Sequence, residues 1–174
     1  MDFIATDKVL KYGMGYDDMP KKTATNLIKK YNTNNPFYIA EHKGIEILYE
    51  PLGSIYGYFN KYKRIKFIHI NNQISTEMQR FTCAHELGHA LLHHDTNTSF
   101  LKAHTFFSTS KLEREANTFA VELLMPDQFL VQYKNTNLTI YDIAARYGVP
   151  REVCVLKDKI QHTKFSLKIE EDKT

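Results

Sequence analysis

A chain of 174 residues with 43% hydrophobic and 25% charged residues is long enough for one packed domain and too ordinary in composition for a disordered one. A formal net charge of +3 gives no electrostatic case for nucleic-acid binding, and two widely separated cysteines, Cys83 and Cys154, provide no disulfide framework and read as buried apolar thiols. No apolar run approaches membrane-spanning length, and no basic segment with an apolar core opens the chain, so the expectation is a soluble, cytoplasmic protein.

Residues 1–22 are mixed, with Gly13, Gly15 and Asp17-Asp18, and read as an N-terminal arm. The pattern predicts a short helix over 23–32, with Thr23 as its cap. Asn34-Asn35-Pro36 opens a second helix that runs to His42 and is closed by Lys43-Gly44. Residues 45–50 alternate and read as a strand. Residues 55–60 and 64–70 read as a hairpin joined by Lys61-Tyr62-Lys63. An exposed edge in such a small sheet can hold an extended peptide, and either the strand of Gly57 or that of Ile68 would serve.

The next predicted helix begins after Ser75, a plausible N-cap, although Met78 stands where a capping box would need Glu. It carries His85-Glu86-Leu87-Gly88-His89. Residues i and i+4 share a helix face, so both imidazoles can reach one metal ion, with Glu86 beside its open side. This is the H-E-x-x-H pattern of zinc peptidases, in which the glutamate is the general base. Phe81, Ala84, Gly88, Leu91 and Leu92 form an apolar stripe with the two histidines along its edge. A polar helix with merely solvated histidines is the bland alternative.

Catalytic zinc usually takes three protein ligands and one water. His93 would extend away along the same helix. Asp95 needs a sharp turn after His89, usually made by Gly, where this chain has Leu92. The helix expected over 111–125 offers Glu113. On a helical wheel Leu112, Ala116, Phe119, Ala120, Leu123 and Leu124 form an apolar arc that includes Glu113, whereas Arg114, Glu115, Thr118 and Glu122 fall on the solvated side. A core-facing carboxylate costs several kcal/mol unless paired or metal-bound, by an order-of-magnitude reckoning of about 2–7 for an uncompensated polar group. Glu113 is therefore the favoured third ligand; pairing with Arg114 or Lys111 is the alternative. Gly88, Ala116 and Ala120 would let the two helices approach closely, and Asn117 could hydrogen-bond the outer nitrogen of a ligand histidine.

The run from His85 to His93, paired with Glu113-Arg114-Glu115-Ala116-Asn117 and on to Met125-Pro126, resembles the ImmA/IrrE family of small zinc metallopeptidases. Asn35-Pro36-Phe37-Tyr38-Ile39-Ala40 followed by Gly44-Ile45-Glu46-Ile47 adds to the likeness, which runs from about Thr23 to about Leu156. The resemblance implies a thermolysin-like (gluzincin) minimal α+β fold with a small β-sheet, an active-site helix and a C-terminal helical hairpin. It implies Zn²⁺ on His85, His89 and Glu113, with Glu86 as general base. It also implies cleavage of a helix-turn-helix repressor as substrate, which would relieve repression of a phage, mobile element or stress response.

Residues 95–110 read as a long polar connection over the cleft, and His93, His94 and His104 are candidates for an oxyanion contact, more simply surface histidines. Thr139 is expected to cap a helix to Tyr147, and Gly148-Val149-Pro150 to lead into another over 151–161. That spacing is compatible with a helix-turn-helix, although Arg151, Lys157 and Lys159 are its few basic groups. The expected division is an arm at 1–22, a peptidase core at 23–134 and a C-terminal helical appendage at 135–174 with a charged tail. Two rival functions remain at this level: a zinc module that binds a repressor without cutting it, and a DNA-binding regulator.

Overall fold

The computed structural model describes residues 19–93 and 110–157. The chain begins there with α1 (Met19–Tyr31) and α2 (Pro36–His42). Helix α1 starts four residues before the expected position, so Thr23 lies inside it rather than capping it. Pro20 near its first turn has no N–H to leave unsatisfied, which suits a helix start. Helix α2 has the expected limits. The Asn35 side chain accepts from Phe37 N and Tyr38 N, and Gly44, at φ +66°, leaves the helix in a conformation only glycine adopts freely.

The sheet consists of β1 (Ile45–Glu50), β2 (Gly57–Tyr62) and β3 (Ile65–Asn71) in the order β1-β3-β2. The hairpin forms, but its strands lie closer to the turn than expected. Tyr62 pairs with Ile65, leaving Lys63-Arg64 as the turn, and Lys63 takes φ +56° there. Strand β3 then inserts parallel to β1, with Ile47 opposite Ile68. Because β3 is central, the strand of Ile68 has no free edge, and β2 is the edge strand of the two.

Lys66 donates from Nζ to Ala90 O on α3 (Thr76–Leu92), so the face bearing Lys66, Ile68 and Ile70 looks toward that helix. On the opposite face His69 binds Glu50 through Nδ1 and stacks on Tyr58 at 4.2 Å. Gly57 is required where β2 meets α3: a Cβ there would lie 2.4 Å from Thr82 Cγ2 and 2.5 Å from His69 O.

Helix α3 is capped by Ser75, whose Oγ accepts from Met78 N, as expected. It is more deeply set than its sequence stripe implies. Every residue from Phe81 to Ala90 is buried, because α2, α4 (Lys111–Leu124), β2 and β3 all pack on it. The close approach predicted for α3 and α4 occurs at Gly88, where a Cβ would sit 3.2 Å from Ala116 Cα.

Two expectations for the ends of α4 fail, besides that for Glu115 described below. Leu112 is exposed, and Glu122 is buried beside Lys157 rather than solvated. Helix α4 packs against α3, α1 and α7 at once, so a wheel with one core face and one solvent face misreads it.

Next come α5 (Asp127–Leu130), a 3-10 turn at Val131–Tyr133, α6 (Ile140–Arg146) and α7 (Arg151–Cys154). Thr139 and Asp142 complete a capping box at α6. Helix α7 is shorter than the run to Gln161 that the sequence implies, passing into a 3-10 turn at 155–157. The architecture is thus α+β with a small sheet, as expected. No helix among the described residues is long and apolar enough to cross a membrane. The expectations for residues 1–18, for Asp95, His94 and His104 in the long connection, and for Lys159 and the tail lie outside the described residues.

Candidate metal centre

The centre is built from two helices. Consecutive turns of α3 carry His85 and His89, and the first turn of α4 carries Glu113. His85 Nε2 and His89 Nε2 lie 3.0 Å apart. Glu113 places one oxygen 3.4 Å from His85 Nε2 and the other 3.4 Å from His89 Nε2. A tetrahedral zinc with ligand bonds near 2.0–2.1 Å separates its ligand atoms by about 3.3 Å. The two imidazole nitrogens stand slightly closer than one such edge, and each Glu113 oxygen lies at about edge distance from a different imidazole, so the carboxylate faces both. Among the described residues this is the group of three metal-ligating side chains that converges, and all three are buried.

The outer nitrogens fix which inner ones are free to bind. His85 Nδ1 donates to Asn117 Oδ1 at 2.9 Å, the contact anticipated for Asn117, which leaves the Nε2 lone pair facing the centre. Burial lowers the pKa of His89, more than a hydrogen bond donated to Glu113 raises it, and so favours the neutral, ligating imidazole. Burial raises the Glu113 carboxyl, but hydrogen bonds and charge from the protonated forms of His85 and His89 outweigh it and bring its pKa down to about 2; with both imidazoles neutral and ligating, a cation would supply that charge instead. Glu113 is thus a carboxylate in the centre, while Lys111 turns instead to Glu115 at 3.7 Å.

Glu86 is wholly buried, and neither carboxyl oxygen has a hydrogen-bond partner. Burial and the neighbouring Glu113 charge push its pKa well above the usual carboxylate range. The Phe59 backbone, the smallest of the three influences, pulls the other way. A buried pair of orphan acceptors is costly, and a cation with its bound water would satisfy both. This observation, with two imidazoles and a carboxylate as donors, makes the residues fit a divalent metal of the zinc type. The neighbouring Cys83 is a neutral thiol, its pKa raised by burial and by the Glu86 charge.

His93 does not extend away along the helix. It lies 3.2 Å from His89, between Nδ1 atoms, and its Nε2 meets Glu115 at 2.8 Å. Neither partnership was read from the sequence, which put Glu115 in solvent; the i+4 spacing from His89 to His93 was the available signal. The helix-turn-helix reading weakens on geometry. Lys157 is buried against Glu122 and Asp127, and the Arg151 guanidinium lies 4.4 Å over the Tyr141 ring.

A buried helix bearing two histidines and a glutamate, closed by a carboxylate from the next helix, defines a metallopeptidase. The profile of peptidase family M78, the IrrE N-terminal-like domain, matches residues 40–157, and the chain belongs to that family. It is 48% identical over 139 residues to the uncharacterized immunity region protein 2 of Bacillus phage phi105, covering 79% of this chain and 88% of that one. It is 36% identical over 112 residues to metallopeptidase ImmA of Bacillus subtilis (strain 168), covering 63% of this chain and 65% of ImmA. Radiation response metalloprotease IrrE of Deinococcus deserti is 32% identical over 114 residues, covering 61% of this chain and 40% of IrrE. The chain therefore spans just under two thirds of ImmA and well under half of IrrE. The ImmA/IrrE resemblance drawn from the two linked motifs is borne out.

Proposed function

We propose that the chain is a zinc endopeptidase of the cytoplasm, gluzincin-like in its ligand set, that cuts a helix-turn-helix repressor and so relieves repression of a phage, mobile element or stress regulon. His85, His89 and Glu113 would hold the zinc. When bound, the ion would supply a water of lowered pKa and a Lewis acid for the scissile carbonyl. Glu86 would be the general base, holding the proton of the attacking water on its carboxylate and releasing it to the leaving amine. Asn117 keeps His85 in the ligating tautomer. The edge of β2 lies beside the centre, where Phe59 neighbours Glu86, and can bind substrate as an added strand through its main chain.

The observation that carries the catalytic part is the pair of orphan Glu86 oxygens beside three converging ligand atoms. The repressor as substrate is supported by the relatives named for an immunity region and for ImmA. The test is incubation of the purified, zinc-loaded protein with the repressor encoded beside it, next to Glu86→Gln. A defined cut made by the parent and absent in the variant is expected. An intact repressor that is nevertheless bound would replace cleavage with the non-cutting mode.

A further inference from the structure

We infer that His93, oriented by Glu115, is a positioning residue for His89. The inference rests on the three-ligand reading above and concerns how one ligand is held in its binding form. For His89 to offer Nε2 to a metal, its proton must sit on Nδ1. That Nδ1 lies 3.2 Å from His93 Nδ1, so one ring must donate and the other accept. The far side of His93 settles which for a neutral ring. Its Nε2 lies 2.8 Å from Glu115 Oε2, and a carboxylate only accepts, so neutral His93 carries its one proton on Nε2 and turns its Nδ1 lone pair to His89. Every proton in the row then points from His89 through His93 to Glu115.

The backbone prepares this row. His93 is the C-cap of α3, at φ −129° and ψ 40°, outside helical geometry, while its N–H still donates to His89 O at 2.9 Å. The ring thus lies alongside His89, and it is buried. Glu113 and Glu115 leave α4 about 200° apart around the helix. One meets His89 at Nε2, and the other reaches it through His93 at Nδ1. His85 has the simpler arrangement, an amide oxygen in direct contact. His89 receives a carboxylate's influence at one remove, and both outer groups come from α4. Such partners of ligand histidines typically govern metal affinity by about 10–100-fold.

The test is zinc affinity by chelator competition on the full chain, for the parent, His93→Phe, His93→Gln and Glu115→Ala, with unfolding of each metal-free protein measured alongside. Phenylalanine fills the space but cannot accept, so zinc binding should weaken by about 10–100-fold. Glutamine can accept from His89 and donate to Glu115, and should stay close to the parent. Glu115→Ala should fall between them. Unchanged affinity in His93→Phe, or equal losses in the Phe and Gln variants, would overturn the inference. If His93→Phe does not fold, unchanged affinity in Glu115→Ala overturns it instead. A parent that takes up no zinc would sink the three-ligand reading and this inference together, whereas a zinc-binding parent with unaffected variants would sink the inference alone.

Discussion

Helix α4 carries two buried carboxylates, Glu113 in its first turn and Glu122 in its last, and the chain treats them differently. Glu122 is answered by the chain's own cations: Lys157, itself buried, binds Glu122 and lies 2.7 Å from Asp127, and Lys21 lies 2.7 Å from Asp127. Two positive and two negative groups close that cluster. Glu113 meets two imidazoles, His89 kept neutral by burial and His85 held in its ligating tautomer by an amide oxygen, with a second carboxyl, Glu86, unpartnered beside them. The first arrangement is electrostatically finished and joins the C-terminal turn to α4 and α5. The second is short of positive charge, the deficit a metal ion fills.

Substitutions that respect or violate this difference should sort by size. Glu86→Gln should leave metal content intact and reduce peptide cleavage by about 10²–10⁴-fold, measured on the repressor substrate. Parent-like cleavage would remove Glu86 as the base. Lys157→Ala strands Glu122 without its counter-charge and should cost about 3–5 kcal/mol of unfolding free energy, read from denaturant midpoints. A small loss would mean Lys21 suffices for the cluster. Gly57→Ala should cost about 1–3 kcal/mol, because the new Cβ meets both Thr82 and the His69 carbonyl. Arg151→Ala should change nothing in salt-dependent duplex DNA binding, measured by titration. Loss of a salt-sensitive signal would revive a DNA-binding role for α7.

Legibility in the sequence followed locality. The limits of α2, the Ser75 cap of α3 and the Thr139 cap of α6 depend on residues a few positions apart, and all three were readable; the Asp142 half of the Thr139 capping box was not read. The convergence of His85, His89 and Glu113 was also readable, because a carboxylate on an apolar arc demands a partner. The insertion of β3 beside β1 was not, since parallel pairing leaves no short-range signature. Glu122 was misread because α4 is enclosed by three other helices, and its partner Lys157 comes from the far end of the chain. Glu115 was misread for a related reason: its partner His93 turns back only because the backbone leaves helical geometry there.

The most direct measurement is metal content of the purified parent and of Glu113→Ala, without chelator in any buffer. About one zinc per chain in the parent and little in the variant is the predicted result. Full occupancy in Glu113→Ala, or no metal in the parent after zinc is added, would contradict the claim that Glu113 completes the site on His85 and His89.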